Sequence, residues 1–397
     1  MCPGLYTLRP GGGHGIVSAI LMRKHAVWFV MAGLVILAAV VFTGRPKDQM
    51  SDFEVYRVAA ARVVAGESIF RVEDGHWQFK YLPAFACLLT PLALLPPVAA
   101  RAVWFFLTLA LVVALVRTSL ALLPGRRRTA AFLVTLVILA LGKYYAREIG
   151  LGQSNALLAV LAVSAMAQWR AGRDASAGAL LAAATIVKPY AILFLPYLLW
   201  RRRLPALAAF TAVLVAAVLL PAARYGFAGN LALLGEWWTT VSTSTAPSLA
   251  GQDNISIAGM YAAWFGVGRA ASVLAALTGA ALLLVSGFAV ARRTDAARPE
   301  YFDTALLLFL IPLLSPQGWD YVLLVSTPAV LLLVDRLDAF ATPLRWLLLS
   351  CLALSGLTFW DVLGREPYRA LMMSRVITVG ALLQVACLIR LRFRAAA

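Results

Sequence analysis

Two charged side chains stand where a mostly apolar chain has least use for them, and both are of types that serve group transfer. Asp52 lies in Met50-Ser-Asp-Phe-Glu-Val-Tyr56, about ten residues past the first long apolar run, Val27 to Phe42. A carboxylate there can take a proton from an attacking hydroxyl. It can also cap a helix, because Asp before an apolar-periodic stretch is a good N-cap. The residues alone leave both roles open. Lys188 stands in Lys188-Pro189-Tyr190, with about eleven mostly apolar residues on either side. Snorkelling from that depth is hard and an unpaired lysine is costly, so its ammonium suits a phosphate or a carboxylate partner.

Further groups accompany these two in the sequence. Tyr56 and Arg57 follow Asp52 at helical spacing, and Gly66, Phe70 and Phe79-Lys80-Tyr81-Leu82-Pro83 come next. The segment 52–65 reads as an amphipathic helix lying on a membrane surface. Gly152-Gln153-Ser154-Asn155 opens a helix. Ser154 or Asn155 can cap it, or the polar side chains and free N–H groups can hold hydroxyls or an anion in a cavity. Ser315-Pro-Gln-Gly-Trp319-Asp320 makes a tight turn, with Asp320 a cap for the next helix or a site residue. Glu236-Trp237-Trp238 and Gln252-Asp253-Asn254-Ile255-Ser256 suit sugar binding, although paired tryptophans also mark a membrane interface. Metal-ligand spacing, a nucleotide-binding glycine loop and a serine-nucleophile motif are all missing, and His14, His25 and His76 are the only histidines. With no cofactor, the energy for a reaction must arrive in an activated, lipid-borne substrate.

The elements that position these residues are membrane helices. The 397 residues are 62% hydrophobic and 13% charged, half the charge of an ordinary soluble domain, with mean hydropathy +0.84. Apolar residues fall in repeated blocks of roughly 14 to 22, the length of a bilayer-crossing helix, and backbone in lipid must satisfy itself. The chain is therefore all-α and polytopic. Its net charge of +17 sits in short clusters between the blocks: Arg126-Arg127-Arg128, Arg170 to Arg173, Arg201-Arg202-Arg203, Arg292-Arg293 and Arg390 to Arg394. That is the positive-inside pattern and excludes a nucleic-acid arm. Cys2, Cys87, Cys351 and Cys387 are scattered and read as packing residues.

With the clusters inside, the run 26–43 goes out and delivers 44–81 to the outer face. The runs 101–123, 129–142, 154–169 and 204–223 alternate to a second outer loop, 224–268. The runs 270–291, 302–314, 320–334, 345–360 and 372–390 then alternate to the end. Prolines break 82–97, and Lys188-Pro189 breaks 177–200. Both stretches are expected to be paired half-helices or re-entrant segments lining a cavity, where irregular backbone is tolerated at membrane depth. Residues 1–25 read as a disordered tail, with translation starting at Met1 or Met22, and 26–397 as one membrane domain. Acidic residues gather on the outer side, and no internal repeat of the kind transporters carry is visible.

In order and spacing these motifs resemble the polyprenyl-phosphate-dependent GT-C glycosyltransferases, most closely the bacterial alpha-mannosyltransferases of cell-envelope glycolipids. The resemblance spans nearly the whole chain from about residue 26. It rests on Asp52 to Tyr56, Phe79 to Pro83, Trp104, Gly152-Gln153-Ser154-Asn155, Gly178 with Lys188-Pro189, and Ser315-Pro316 with Trp319. It implies a GT-C-like bundle of about 10–13 transmembrane or half-membrane helices in the plasma membrane, with its site on the periplasmic or extracellular face. Asp52 would be general base in an inverting transfer of a hexose, typically mannose, from a polyprenyl-phosphate sugar to a glycolipid or glycan acceptor. Lys188, Lys80 or Arg147 would pair with the donor phosphate. Tyr56, Tyr81, Gln153, Asn155, Trp319, Asp320 and Asn254 would contact substrate. One departure stands out: Asp320 occupies the place where this family often carries histidine. The rival reading is a transporter or flippase of lipid-linked sugars.

Overall fold

The computed structural model describes residues 50–292 and 298–394; the tail 1–25 and the first membrane run, 26–43, lie outside them. The described residues are almost entirely helical and contain no strand, only an isolated bridge between Asn254 and Trp319. Among the described residues, four helices are long and apolar enough to cross a bilayer alone: Pro97–Leu122, Ala130–Leu151, Arg269–Ala291 and the one starting at Val376. Leu204–Leu219 is a shorter apolar helix, and the helix that follows it turns away by 89° over Ala222–Thr245. Shorter staves pack among these. Pro299–Leu314 is buried along almost its whole length and Thr327–Asp335 throughout, so these two face protein on every side and need no lipid-matched length.

The arginine clusters converge on one end of the bundle, as their spacing in the sequence requires. Arg127 and Arg128 donate backbone N–H groups to Asp335 at 2.8 and 2.9 Å, and the Arg128 side chain pairs with Asp338. Arg170 reaches the carbonyl of Leu122, at the far end of the neighbouring helix. Arg203 pairs with Asp174, while Arg201 and Arg392 share Asp303. The opposite end carries Gly152, Lys188 and the 315–320 turn.

The two proline-broken stretches form short helices. Residues 82–97 make the pair Pro83–Leu88 and Thr90–Ala93. Asp174–Val187 rises from the arginine end, stops at extended Lys188, and gives way to a 3-10 turn, Pro189–Leu193. Phe194–Trp200 then returns to Arg201. Fourteen residues of helix reach only about 21 Å, so Lys188 sits at the tip of a hairpin inside the bundle. Gly178 permits the crossing on which that hairpin depends: a Cβ there would meet the Ala206 carbonyl oxygen at 1.9 Å. Small residues at such contacts let membrane helices approach closely.

Several boundaries differ from the sequence expectation for identifiable reasons. The run 129–142 continues as helix to Leu151, because Lys143, Arg147 and Glu148 find partners inside the protein and do not end it. The run 320–334 begins as a 3-10 segment, Asp320–Ser326, before turning α-helical. The expected outer loop 224–268 is mostly helix, Ala222–Ser248 and Ile257–Phe265. Its polar composition marks exposure and not irregular backbone.

Candidate active site

The helix Ser51–Ala65 sets the site's first wall. It buries Phe53, Tyr56, Ala59, Ala60 and Val63, a three-to-four residue period that turns one stripe inward. Its cap is Met50, without a side-chain cap bond, so Asp52 sits in the first turn and is not the capping residue. Three contacts pin this helix to the 150–152 turn. Met50 N donates to Gly150 O at 2.8 Å, Trp104 Nε1 donates to Gly152 O at 2.8 Å, and Phe53 stacks on Trp104 with ring centroids 5.3 Å apart. Gly152 itself has φ +69°, and a Cβ there would lie 2.7 Å from that of Phe53. Only glycine satisfies both conditions.

This anchoring brings Asp52 to Gln153, the centre of the site. Gln153 Nε2 donates to Asp52 Oδ2 at 2.5 Å and to Tyr321 Oη at 3.0 Å. Its Oε1 faces Tyr56 Oη at 3.2 Å, Tyr81 Oη at 3.4 Å and Lys188 Nζ at 3.3 Å, all as acceptor. The Tyr56 and Tyr81 hydroxyls meet at 2.6 Å, and Lys188 lies 5.5 Å from the Tyr81 ring centre. Asp52 and Lys188 are thus coupled through an amide and do not form a direct ion pair. Burial raises the Asp52 pKa from its ordinary value, opposed first by the Gln153 hydrogen bond and then by the Lys188 charge. Burial also lowers the Lys80 pKa.

These groups line a cavity of about 390 Å³ together with Lys80, Arg147, Tyr190, Trp237, Asp253, Gln317, Trp319 and Tyr321. On its far side the charges are paired directly. Arg147 bonds Asp320 through Nη1 and Asp253 through Nη2, the latter at 3.2 Å. Lys143 adds a second cation 3.6 Å from Asp320, and Tyr368 donates to Asp253 at 3.1 Å.

Asp52, Lys188, Lys80, Arg147, Tyr56, Tyr81, Gln153 and Trp319 therefore share one cavity. Asp320, fully buried, stands behind Arg147. Asn155 and Asn254 do not line the cavity. The Asn155 amide donates to Glu148 Oε2 at 2.7 Å. Asn254 donates to the carbonyls of Leu249 and Pro316 and accepts from Ser256 N, tying two turns together. Ser154 makes no cap bond; Glu148 caps that helix instead, accepting from Ala156 N at 2.7 Å.

Sequence reasoning passed over three residues that build the site. Glu148 holds the Asn155 helix start directly below Gln153. Lys143 supports Asp320. Arg375, 1% exposed, collects the carbonyls of Ala250, Gly251, Gln252 and Asn254 and so shapes the loop that carries Asp253. A charged residue in an apolar run was the available signal for the first two. Arg375 carried none, because its partners are backbone carbonyls about 120 residues away in the chain.

The family model of glycosyltransferase family 87 matches residues 79–316, more than half of the chain. No curated protein matches it.

Proposed function

The chain belongs to glycosyltransferase family 87, and on that premise we propose that it moves a hexose, mannose by preference, from a polyprenyl-phosphate sugar to a lipid-linked or cell-envelope glycan acceptor. The observation that carries this reading is the pairing of Asp52 and Lys188 across Gln153 in a single cavity. It supplies a base and a cation without requiring either to leave an ion pair. Asp52 takes the proton of the acceptor hydroxyl as that oxygen attacks the anomeric carbon. The bond from that carbon to the phosphate oxygen breaks with inversion, and its electron pair leaves on the polyprenyl phosphate. Lys188 stabilises the charge that develops there, with Lys80 nearby and Arg147 across the cavity. Tyr56, Tyr81, Gln153 and Trp319 hold the sugar. With the arginine end in the cytoplasm by the positive-inside rule, the cavity opens at the outer face of the plasma membrane, where a lipid-borne donor is the available activated sugar.

The test is transfer of labelled mannose from polyprenyl-phosphate mannose to octyl α-mannoside by purified protein in detergent. Asp52→Asn keeps size and hydrogen bonding while removing the base, and a loss of about a thousandfold in kcat is expected. Transfer by folded Asp52→Asn at the wild-type rate would remove Asp52 as base. Absence of transfer from any polyprenyl-phosphate hexose by wild type would overturn the donor assignment.

A further inference from the structure

A second cavity, of about 430 Å³, lies along the other face of the Ser51–Ala65 helix. The two cavities share three residues, Ser51, Val55 and Trp77, and Asp52 sits on the first cavity's side of that common edge. Helical spacing explains the division. Glu54, Val58 and Arg62 recur every fourth residue and face the second cavity, while Asp52 and Tyr56 face the first.

We propose that this second cavity holds the acceptor, and that the acceptor is an uncharged, hydroxyl-rich glycoside. The proposal rests on the transferase reading of the first cavity. The charges lining the second one are already matched. Asp74 receives both Arg62 nitrogens, at 2.5 and 2.7 Å, and Glu54 is held by Arg57 at 2.6 Å and Arg101 at 3.2 Å. An anionic or cationic ligand would have to break one of these pairs. A sugar hydroxyl donates to a carboxylate and accepts from a guanidinium at once, so it adds to the pairs without separating them. Trp77, 50% exposed, offers an apolar ring face with a polar edge. Val55, Val58, Trp77 and Phe79 give the cavity an apolar wall on which the apolar face of a sugar ring can pack, while Glu54, Arg62 and Asp74 meet its hydroxyls. A hydroxyl reaching over Ser51 and Val55 arrives at the Asp52 carboxylate, the order that direct displacement needs.

Val58 lines the second cavity and not the first, which makes it the position to change. Val58→Trp fills the space. Its KM for octyl α-mannoside should rise about tenfold or more while the KM for polyprenyl-phosphate mannose stays within about twofold. Titration of octyl α-mannoside into donor-free protein gives a readout independent of turnover: saturable binding to wild type, weakened by Val58→Trp to the same extent as KM. If Val58→Trp does not fold, Val58→Met intrudes less and should raise the acceptor KM about threefold. A rise in the donor KM instead, an unchanged acceptor KM, or no saturable binding of the neutral glycoside to wild type would each overturn the proposal. Failure of the first reading looks different, since there Asp52→Asn would transfer as fast as wild type whatever Val58→Trp does.

Discussion

The two charged groups that flank the first cavity are built on opposite plans. On the Gln153 side, Asp52 and Lys188 meet through a neutral amide. On the Arg147 side, opposite charges touch: Arg147 holds Asp320 and Asp253, with Lys143 behind. A charge held through an amide can change partner when a ligand enters, because only a modest hydrogen bond is exchanged. A guanidinium already shared by two carboxylates must give up an ion pair to do the same. On the proposed mechanism, the contrast gives chemistry to the first side and scaffolding to the second. Lys188 has three donors and, among the described residues, one hydrogen bond, to Gln153. It is therefore the cation better placed to meet a leaving phosphate, whereas Arg147 fixes the 253 loop and the 315–320 turn against each other.

Removing Arg147 should produce the largest effect on stability. Arg147→Met leaves Asp320, 0% exposed, with Lys143 alone at 3.6 Å. Stranding a buried carboxylate typically costs about 3 kcal/mol. The double variant Arg147→Met with Asp320→Asn removes the stranded carboxylate and should recover part of that loss, the remainder reflecting Lys143, which then loses its anion. Thermal unfolding in detergent measures both. A single variant as stable as wild type would dissolve the distinction between the two sides.

Lys188→Met should show the reverse pattern, with a smaller loss of stability and a larger specific loss of function. Losing one preorganised cation at a developing phosphate charge typically costs about a hundredfold in turnover. The kcat/KM for polyprenyl-phosphate mannose should fall by that order, while unfolding shifts less than in Arg147→Met. An equal fall in Arg147→Met, corrected for folded protein, would mean that both cations serve the phosphate.

The same contrast explains which parts of the molecule were legible in its sequence. Membrane helices announce themselves by composition, and the arginine clusters mark their ends, so the all-helical class and both proline-broken segments could be read directly. Asp52, Gln153 and Lys188 were visible because polar residues in apolar company need a reason to be there. Asn155 and Asn254 were visible on the same grounds, yet their amides serve Glu148 and backbone carbonyls. An amide that binds a turn and one that binds a sugar have the same sequence signature. Glu148 and Arg375 went unread because their partners are chosen by the fold. The polar Ala222–Ser248 stretch looked like a loop because a helix crossing a surface does not need the long apolar run that identifies a span.

The pH dependence of transfer is the smallest effect and the sharpest measure of the coupling. The proposed base Asp52 must be unprotonated to act, so kcat/KM should fall as pH drops through its pKa. Burial raises that pKa, so the acid limb should lie above the usual carboxylate value near 4. The Gln153 hydrogen bond and then the Lys188 charge hold the pKa down, with Arg147 the weakest of the opposing influences. Each removal therefore favours the protonated form and moves the limb to higher pH. Gln153→Leu should move it most, Lys188→Met less, and Arg147→Met least, because the Arg147 charge is already answered by Asp253 and Asp320. A limb that moves downward in Gln153→Leu would show that the amide does not stabilise the Asp52 carboxylate. A limb most sensitive to Arg147 would show that the two sides share one electrostatic field, and the division between chemistry and scaffold would fall with it.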